Sequence, residues 1–190
     1  MPTQPKTFLT PEQYLEIERK AEYKSEYFGG EMFAMAGARE AHILIVGNVV
    51  SQIHSQVRSG PSRVYTSNMR VRVGATGLYT YPDVVVVCGE PRFLDEQRDT
   101  LLNPTLVVEV LSPTTEAYDR GRKFEHYRSL ESLKEYLLIA SERIGAELFT
   151  RQPSGQWLLT AATRPEETIE LPSVACRVTL ADLYEKVEFA

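Results

Sequence analysis

Two acids in the sequence stand among residues that do not normally keep them. Asp83 follows Pro82 and leads into the run Val84–Val87, and Glu109 interrupts the apolar run Leu106–Leu111. A buried, unpaired carboxylate is costly. It persists when it holds a cation, meets a donor network or takes up a proton. Two such acids on neighbouring strands make a hard, oxygen-rich site suited to magnesium or manganese. Further on, Asp119, Lys123, His126 and Tyr127 recur at steps of four, three and one, so one helix face would carry them. A lysine there can stabilise developing charge or orient a water that a metal activates, which is phosphodiester-hydrolysis chemistry. Each residue also has a plainer account. Asp83 alone is a strand-end residue, Glu109 alone a buried acid paired to arginine, and Tyr127 and Phe124 packing residues. Asp119–Lys123 alone is a solvated pair worth about 0.3–0.5 kcal/mol. The two acids together, each on an apolar strand, favour chemistry.

The elements that must position these residues are legible from periodicity. Thr10-Pro11-Glu12-Gln13 opens a first helix running to about Ala21, with a capping box and proline at its first position. Tyr23–Phe28 and Glu31–Ala36 flank Gly29-Gly30 as a hairpin. Ile43, Val46, Val50, Ile53 and Val57 mark an amphipathic helix over Ala41–Val57. Strands are expected at Arg63–Thr66, Met69–Val73, Tyr79–Val87, Thr105–Leu111, Glu135–Ala140, Ile144–Arg151 and Trp157–Thr160. A helix follows Ser112-Pro113-Thr114-Thr115 to about Leu130, and a short last one runs from Thr179 to about Glu185. Cys88–Pro104 reads as a polar, mobile connection.

Composition narrows the function. A length of 190 residues with 43% hydrophobic and 25% charged residues suits a globular domain. No segment is apolar enough to span a membrane, and Met1–Thr10 lacks the layout of a secretory signal, so the expected location is the cytoplasm. Two distant cysteines and three histidines without His-x-x-x-His spacing argue against a disulfide framework and a zinc site. The net charge of −5 speaks against tight nonspecific nucleic-acid binding. However, Ala41–Pro82 contains no acid and carries Arg58, Arg63, Arg70 and Arg72. Arg63, Arg70 and Arg72 are therefore candidate phosphate contacts, with charges that guard an edge strand as the rival account.

The pattern Pro82-Asp83 followed by Glu109-Val110-Leu111 resembles the P-D…(D/E)-x-K motif of the PD-(D/E)XK, restriction-endonuclease-like superfamily. More narrowly, four segments are similar to the Uma2 family of restriction-endonuclease-like proteins. They are Leu9–Tyr14, Tyr27–Glu31, Tyr81–Val87 and Val108–Pro113, joined by Tyr118–Phe124 and Tyr127. The resemblance implies an α/β fold with a central mixed β-sheet flanked by helices. It implies magnesium or manganese as cofactor and DNA as substrate, and, by analogy with restriction enzymes, a homodimer. The superfamily lysine belongs two residues after the acid, where this chain has Leu111, so Lys123 on the following helix is the relocated candidate. Glu31, which matches the narrower family, is preferred to Glu40 as an auxiliary acid, and His42 is a lesser candidate facing the site.

The sequence is thus read as one nuclease-like domain over residues 1–190. A helix and hairpin (about 10–36) and a C-terminal hairpin and short helix (about 144–185) are additions to it. The expected activity is metal-dependent DNA cleavage. Asp83 and Glu109 hold the metal, Lys123 stabilises the transition state, and Glu31, His42, Asp119 and Tyr127 assist. The Leu111 departure and the acidic charge keep a second reading open, a nuclease fold that binds nucleic acid or a protein without cutting. A third, an assembly protein, would use exposed Tyr79 and Tyr81 and the Cys88–Pro104 loop as an interface.

Overall fold

The computed structural model describes residues 8–189. The signal-sequence reading of Met1–Thr10, and the ends of the expected domain, therefore fall partly outside the described residues. The chain begins with α1 (Pro11–Glu18), the hairpin β1 (Ser25–Phe28) and β2 (Glu31–Ala34), and the long α2 (Glu40–Val57). Next come β3 (Arg63–Thr66), β4 (Arg70–Val73), β5 (Leu78–Thr80), β6 (Val84–Val87), β7 (Thr100–Leu101) and β8 (Leu106–Leu111). Then follow α3 (Glu116–Tyr118), a π-turn (Asp119–Lys123) and α4 (Phe124–Arg128). The chain closes with β9 (Glu135–Ala140), β10 (Ala146–Arg151), β11 (Trp157–Ala162), β12 (Thr168–Leu171), β13 (Cys176–Thr179) and α5 (Leu180–Leu183).

The central six-stranded sheet has the order β11-β10-β9-β8-β6-β3. It is mixed: β8 pairs parallel with β9 and antiparallel with β6. Strand alternation divides its side chains between two cores. Val84, Val86, Leu106, Val108 and Val110 pack with Ile45, Val49 and Ile53 of α2 and with the β12–β13 hairpin. Val85, Val87, Val107 and Leu111 face the other way, against Val71, Leu78, Leu101, Phe124 and Tyr127. That second core is roofed by a five-stranded sheet, β2-β1-β5-β4-β7. The expected α/β fold with a central mixed sheet is present, with this second sheet added.

Local signals explain several elements. Thr10 and Gln13 complete the capping box of α1, and Gly29 and Gly30 take φ of +58° and +89° in the hairpin turn, a region glycine enters at little cost. Four expectations are corrected. The Cys88–Pro104 connection is not a mobile polar loop: it contains β7, Leu101 is fully buried, and Arg19 holds both Asp95 and Asp99. Tyr79 and Tyr81 are buried, so they offer no interface. The buried stripe of α2 is Ile45-Val49-Ile53-Val57, while Ile43 is 59% exposed. Finally, the helix expected over Thr115–Leu130 is broken at Asp119–Lys123 by the π-turn. A turn closed by i→i+5 bonds is rare and often found at functional sites. Gly121 lies in it and lowers helix propensity by about 0.8–1.0 kcal/mol.

Candidate active site

The register of β6 and β8 brings the two acids together. Val84 pairs with Val108 and Val86 with Leu106, so one further step sets Asp83 opposite Glu109. Glu109 follows the alternation of Val107 towards the second core, whereas Asp83 lies just before β6 and is met from the α2 side. Asp83 stands where the strands open, and its Oδ2 accepts the N–H of Val110 at 2.8 Å. Its Oδ1 lies 3.0 Å from Nε2 of His42. His42 reaches it because it precedes Ile45 by three positions and so belongs to the helix stripe that faces the sheet.

Lys123 is delivered by the π-turn. Its Nζ lies 2.9 Å from Glu109 Oε1, 3.3 Å from Asp119 Oδ1 and 3.4 Å from Glu26 Oε1. Lys123, Asp119 and Glu109 are all buried, so the account of Asp119–Lys123 as a solvated pair is corrected. Tyr127 donates its hydroxyl to Glu109 Oε1 at 2.9 Å. Tyr136 donates to the Asp119 carbonyl at 3.1 Å, which anchors the turn to β9.

Three carboxylates (Glu26, Glu109 and Asp119) thus surround one lysine, and the charge of Asp83 acts on Glu109. Burial pushes the Glu109 carboxyl well above its usual range despite the opposing charge of Lys123. Burial likewise raises Asp119. Burial alone would strip the proton from Lys123, but Glu109, Tyr127, Glu26 and Asp119 outweigh it and hold its pKa well up. The ammonium persists, and the excess of acids is relieved by protons or by a further cation.

The donor chemistry fits a hard divalent ion. Among the described residues no three Asp, Glu, His or Cys side chains converge as a ready-made cage. Magnesium seldom uses one: it is held by one or two carboxylates, with water and substrate phosphate completing the shell. Asp83 and Glu109 supply two carboxylates in a buried, acid-rich setting.

Sequence reasoning missed Glu26. It accepts a hydrogen bond from Thr80 and bonds Tyr118 as well as meeting Lys123. The hairpin acid at the lysine is therefore Glu26, whereas Glu31 pairs with Phe28 farther along the same hairpin. The available signal was alternation, since Ser25 and Tyr27 turn to the buried face and Glu26 and Phe28 to the other. The candidate phosphate contacts are not gathered at the site. Arg70 is buried, bonded to Thr100 and Tyr81 and paired with Asp99 at 2.8 Å, so its phosphate-binding role is withdrawn. It serves instead to hold β7 to β4. Arg72 lies over the Tyr79 ring, and Arg63 sits on an edge strand 3.7 Å from Glu90.

The family described as "Uma2: Putative restriction endonuclease" matches residues 11–181. Two uncharacterized proteins of Synechocystis are similar over most of their lengths. Protein slr1290 is 34% identical across 99% of this chain and 97% of its own length. Protein sll1609 is 34% identical across 85% of this chain and 92% of its own length. The crystal structure titled a putative nuclease belonging to DUF820, from Anabaena variabilis, superposes with a TM-score of 0.76 at 20% identity. The superposition covers 95% of this chain and 99% of that one. No helix among the described residues is long and apolar enough to cross a membrane.

Proposed function

Because this chain belongs to the Uma2 family, we propose that it is a metal-dependent endonuclease hydrolysing phosphodiester bonds in DNA. One observation carries the reading: Lys123, twelve residues beyond the expected position at Leu111, reaches Glu109 at 2.9 Å inside a buried acid cluster. Asp83 and Glu109 would hold magnesium or manganese, which supplies Lewis-acid polarisation of the phosphate and a water activated at neutral pH.

The chain's own residues do the rest. Val110 N–H and His42 fix the Asp83 carboxylate from two sides. Tyr127 orients Glu109. Glu26 and Asp119 keep Lys123 protonated and hold it at the site, where its ammonium meets charge developing on phosphoryl oxygens. Burial of Glu109 and Lys123 excludes bulk water, which strengthens each of these interactions.

The test is cleavage of supercoiled and single-stranded DNA with magnesium or manganese by wild type, Glu109→Gln and Lys123→Ala. Cutting by wild type and its loss in both variants is the expected result. A folded wild type that cuts neither DNA with either metal would leave a nuclease fold that binds without cutting.

A further inference from the structure

The rim above the acid cluster carries one aromatic side chain that the fold leaves open. Phe33 is 50% exposed and pairs directly with Glu26 across the β1–β2 hairpin. Residues directly opposed in an antiparallel pair share a face, with Cβ atoms about 4.5–5.5 Å apart. Glu26 reaches Lys123, so the Phe33 ring stands on the hairpin face that meets the site. Phe28 lies two residues along that face from Glu26. It carries the exposed Arg122 guanidinium 5.2 Å from its ring centre. β2 is the outermost strand of its sheet, and among the described residues Phe33 keeps half of its surface open. In the loop between β8 and α3, the Ser112 hydroxyl lies 3.1 Å from that of Thr114 and 2.9 Å from that of Thr115, and Thr115 bonds Asp119.

Exposed apolar residues scattered singly need no explanation. Phe33 differs by position, being opposed to the acid that holds the lysine and close to a cationic ring contact. We propose that this mouth takes a nucleotide of an unpaired DNA strand, its base stacked on Phe33 and its backbone led past Ser112, Thr114 and Thr115 towards Lys123. The inference rests on the phosphodiesterase reading above and names its substrate class. Glu109 and Lys123 are no more than 5% exposed, so a phosphate must enter the fold to meet them. An unpaired strand can bend inward and offers a free base face, whereas a paired duplex keeps its bases stacked on one another. Hydroxyls are common phosphate contacts, and Arg122 adds positive charge beside the Phe28 ring.

The experiment measures anisotropy of a labelled single-stranded oligonucleotide, its matched duplex and an RNA of the same sequence. Calcium is used as a hard cation of the same ligand chemistry. Stacking on one aromatic side chain is worth about 1–3 kcal/mol, so Phe33→Ala should weaken single-strand binding about 5- to 150-fold. Phe33→Tyr should retain it, and duplex binding should change less than about two-fold. Equal wild-type affinity for duplex and single strand, no loss in Phe33→Ala, no wild-type binding, or a preference for RNA would each overturn the proposal. Phe33-dependent strand binding without cutting in magnesium or manganese would keep this inference and sink the nuclease reading. Equal cutting of both DNA forms, indifferent to Phe33, would do the reverse.

Discussion

Replacing Lys123 with methionine keeps most of the side-chain volume and removes the ammonium from among Glu26, Glu109 and Asp119. Breaking a buried ion pair by deleting one partner costs about 3–5 kcal/mol. The cluster borders Glu26 and Asp83, whose side chains are 14% and 17% exposed, so relief by solvent places the loss near the lower end, about 3 kcal/mol at pH 8. The sign with pH follows from the acids. Burial already raises Glu109 and Asp119, and Lys123 opposes that rise in both. In Lys123→Met the opposition is gone, so their folded pKa values climb further above the unfolded range of about 4. The folded state then binds more protons than the unfolded chain, and stability falls as pH rises. The deficit of the variant should therefore widen from pH 5 to pH 8. Urea unfolding can be followed through Trp157, the sole tryptophan, whose ring centre lies 5.3 Å from that of Phe124. The double variant Glu109→Gln/Lys123→Met should be more stable than Lys123→Met, because it removes a stranded charge. Cleavage in Lys123→Met should fall about 10²–10³-fold. A variant that unfolds at the wild-type urea concentration at pH 8, with no change in pH dependence, would refute the counter-charge argument.

Two other perturbations probe the scaffold. Glu135 is fully buried with Oε1 unpartnered, while Ser173 donates to its other oxygen; burial raises its pKa. An acid raised in the folded state adds stability at low pH that is lost as pH rises through its folded pKa, at up to about 1.4 kcal/mol per pH unit. Glu135→Gln should lack that component, so the wild type should gain on it as pH is lowered from 8 to 5 in paired urea titrations; parallel curves would contradict this. Gly30 has φ of +89°, and a Cβ there would lie 2.7 Å from the Phe8 ring, whereas at Gly29 it would meet nothing. Both alanine variants should lose about 1–2 kcal/mol from the left-handed backbone. Gly30→Ala should lose more, and equal urea midpoints would show that Phe8 does not pack there.

The acid pair was readable because strand parity is unforgiving. Asp83 and Glu109 each stand one step beyond the Val84–Val108 pair, so pairing the two valine runs brings the acids together. Spacing alone also put Asp119, Lys123 and Tyr127 on one face, and they meet in the fold. Glu26 escaped notice because a single acid on a four-residue hairpin strand looks like a solvent-facing residue. Its role depends on a lysine 97 positions away, brought there by sheet packing. Arg70 misled for the opposite reason. Alternation placed it on a polar face, but β7, hidden in a polar-looking connection, pairs alongside β4 and supplies Thr100, with Asp99 just before it. The α2 stripe was misplaced because Ile43 and Ile45 fit competing three-and-four patterns, and only contact with the sheet decides between them.

The displaced lysine and the π-turn belong to one physical solution. Position 111 shares a strand face with Glu109, and Leu111 is 3% exposed there, packed in the core that includes Phe124 and Tyr127. A lysine at 111 would have to thread its ammonium back along the strand through that apolar contact. Supplying it from the facing helix leaves Leu111 to the core and aims the ammonium straight at the carboxylate. The facing helix must then present Asp119 and Lys123 together while Tyr127 also reaches Glu109. In a regular helix, residues four apart are already offset by about 40° and residues eight apart by about 80°. One wider turn changes that phase at the lysine, with Gly121 inside it and Tyr136 meeting the carbonyl of Asp119. The local departure from α-geometry thus sits where Lys123 and Tyr127 must both reach one carboxylate while Asp119 stays on the lysine. Packing by itself gives no reason for a break at that point, because Phe124 and Leu130 on either side of Tyr127 are buried in the same apolar core.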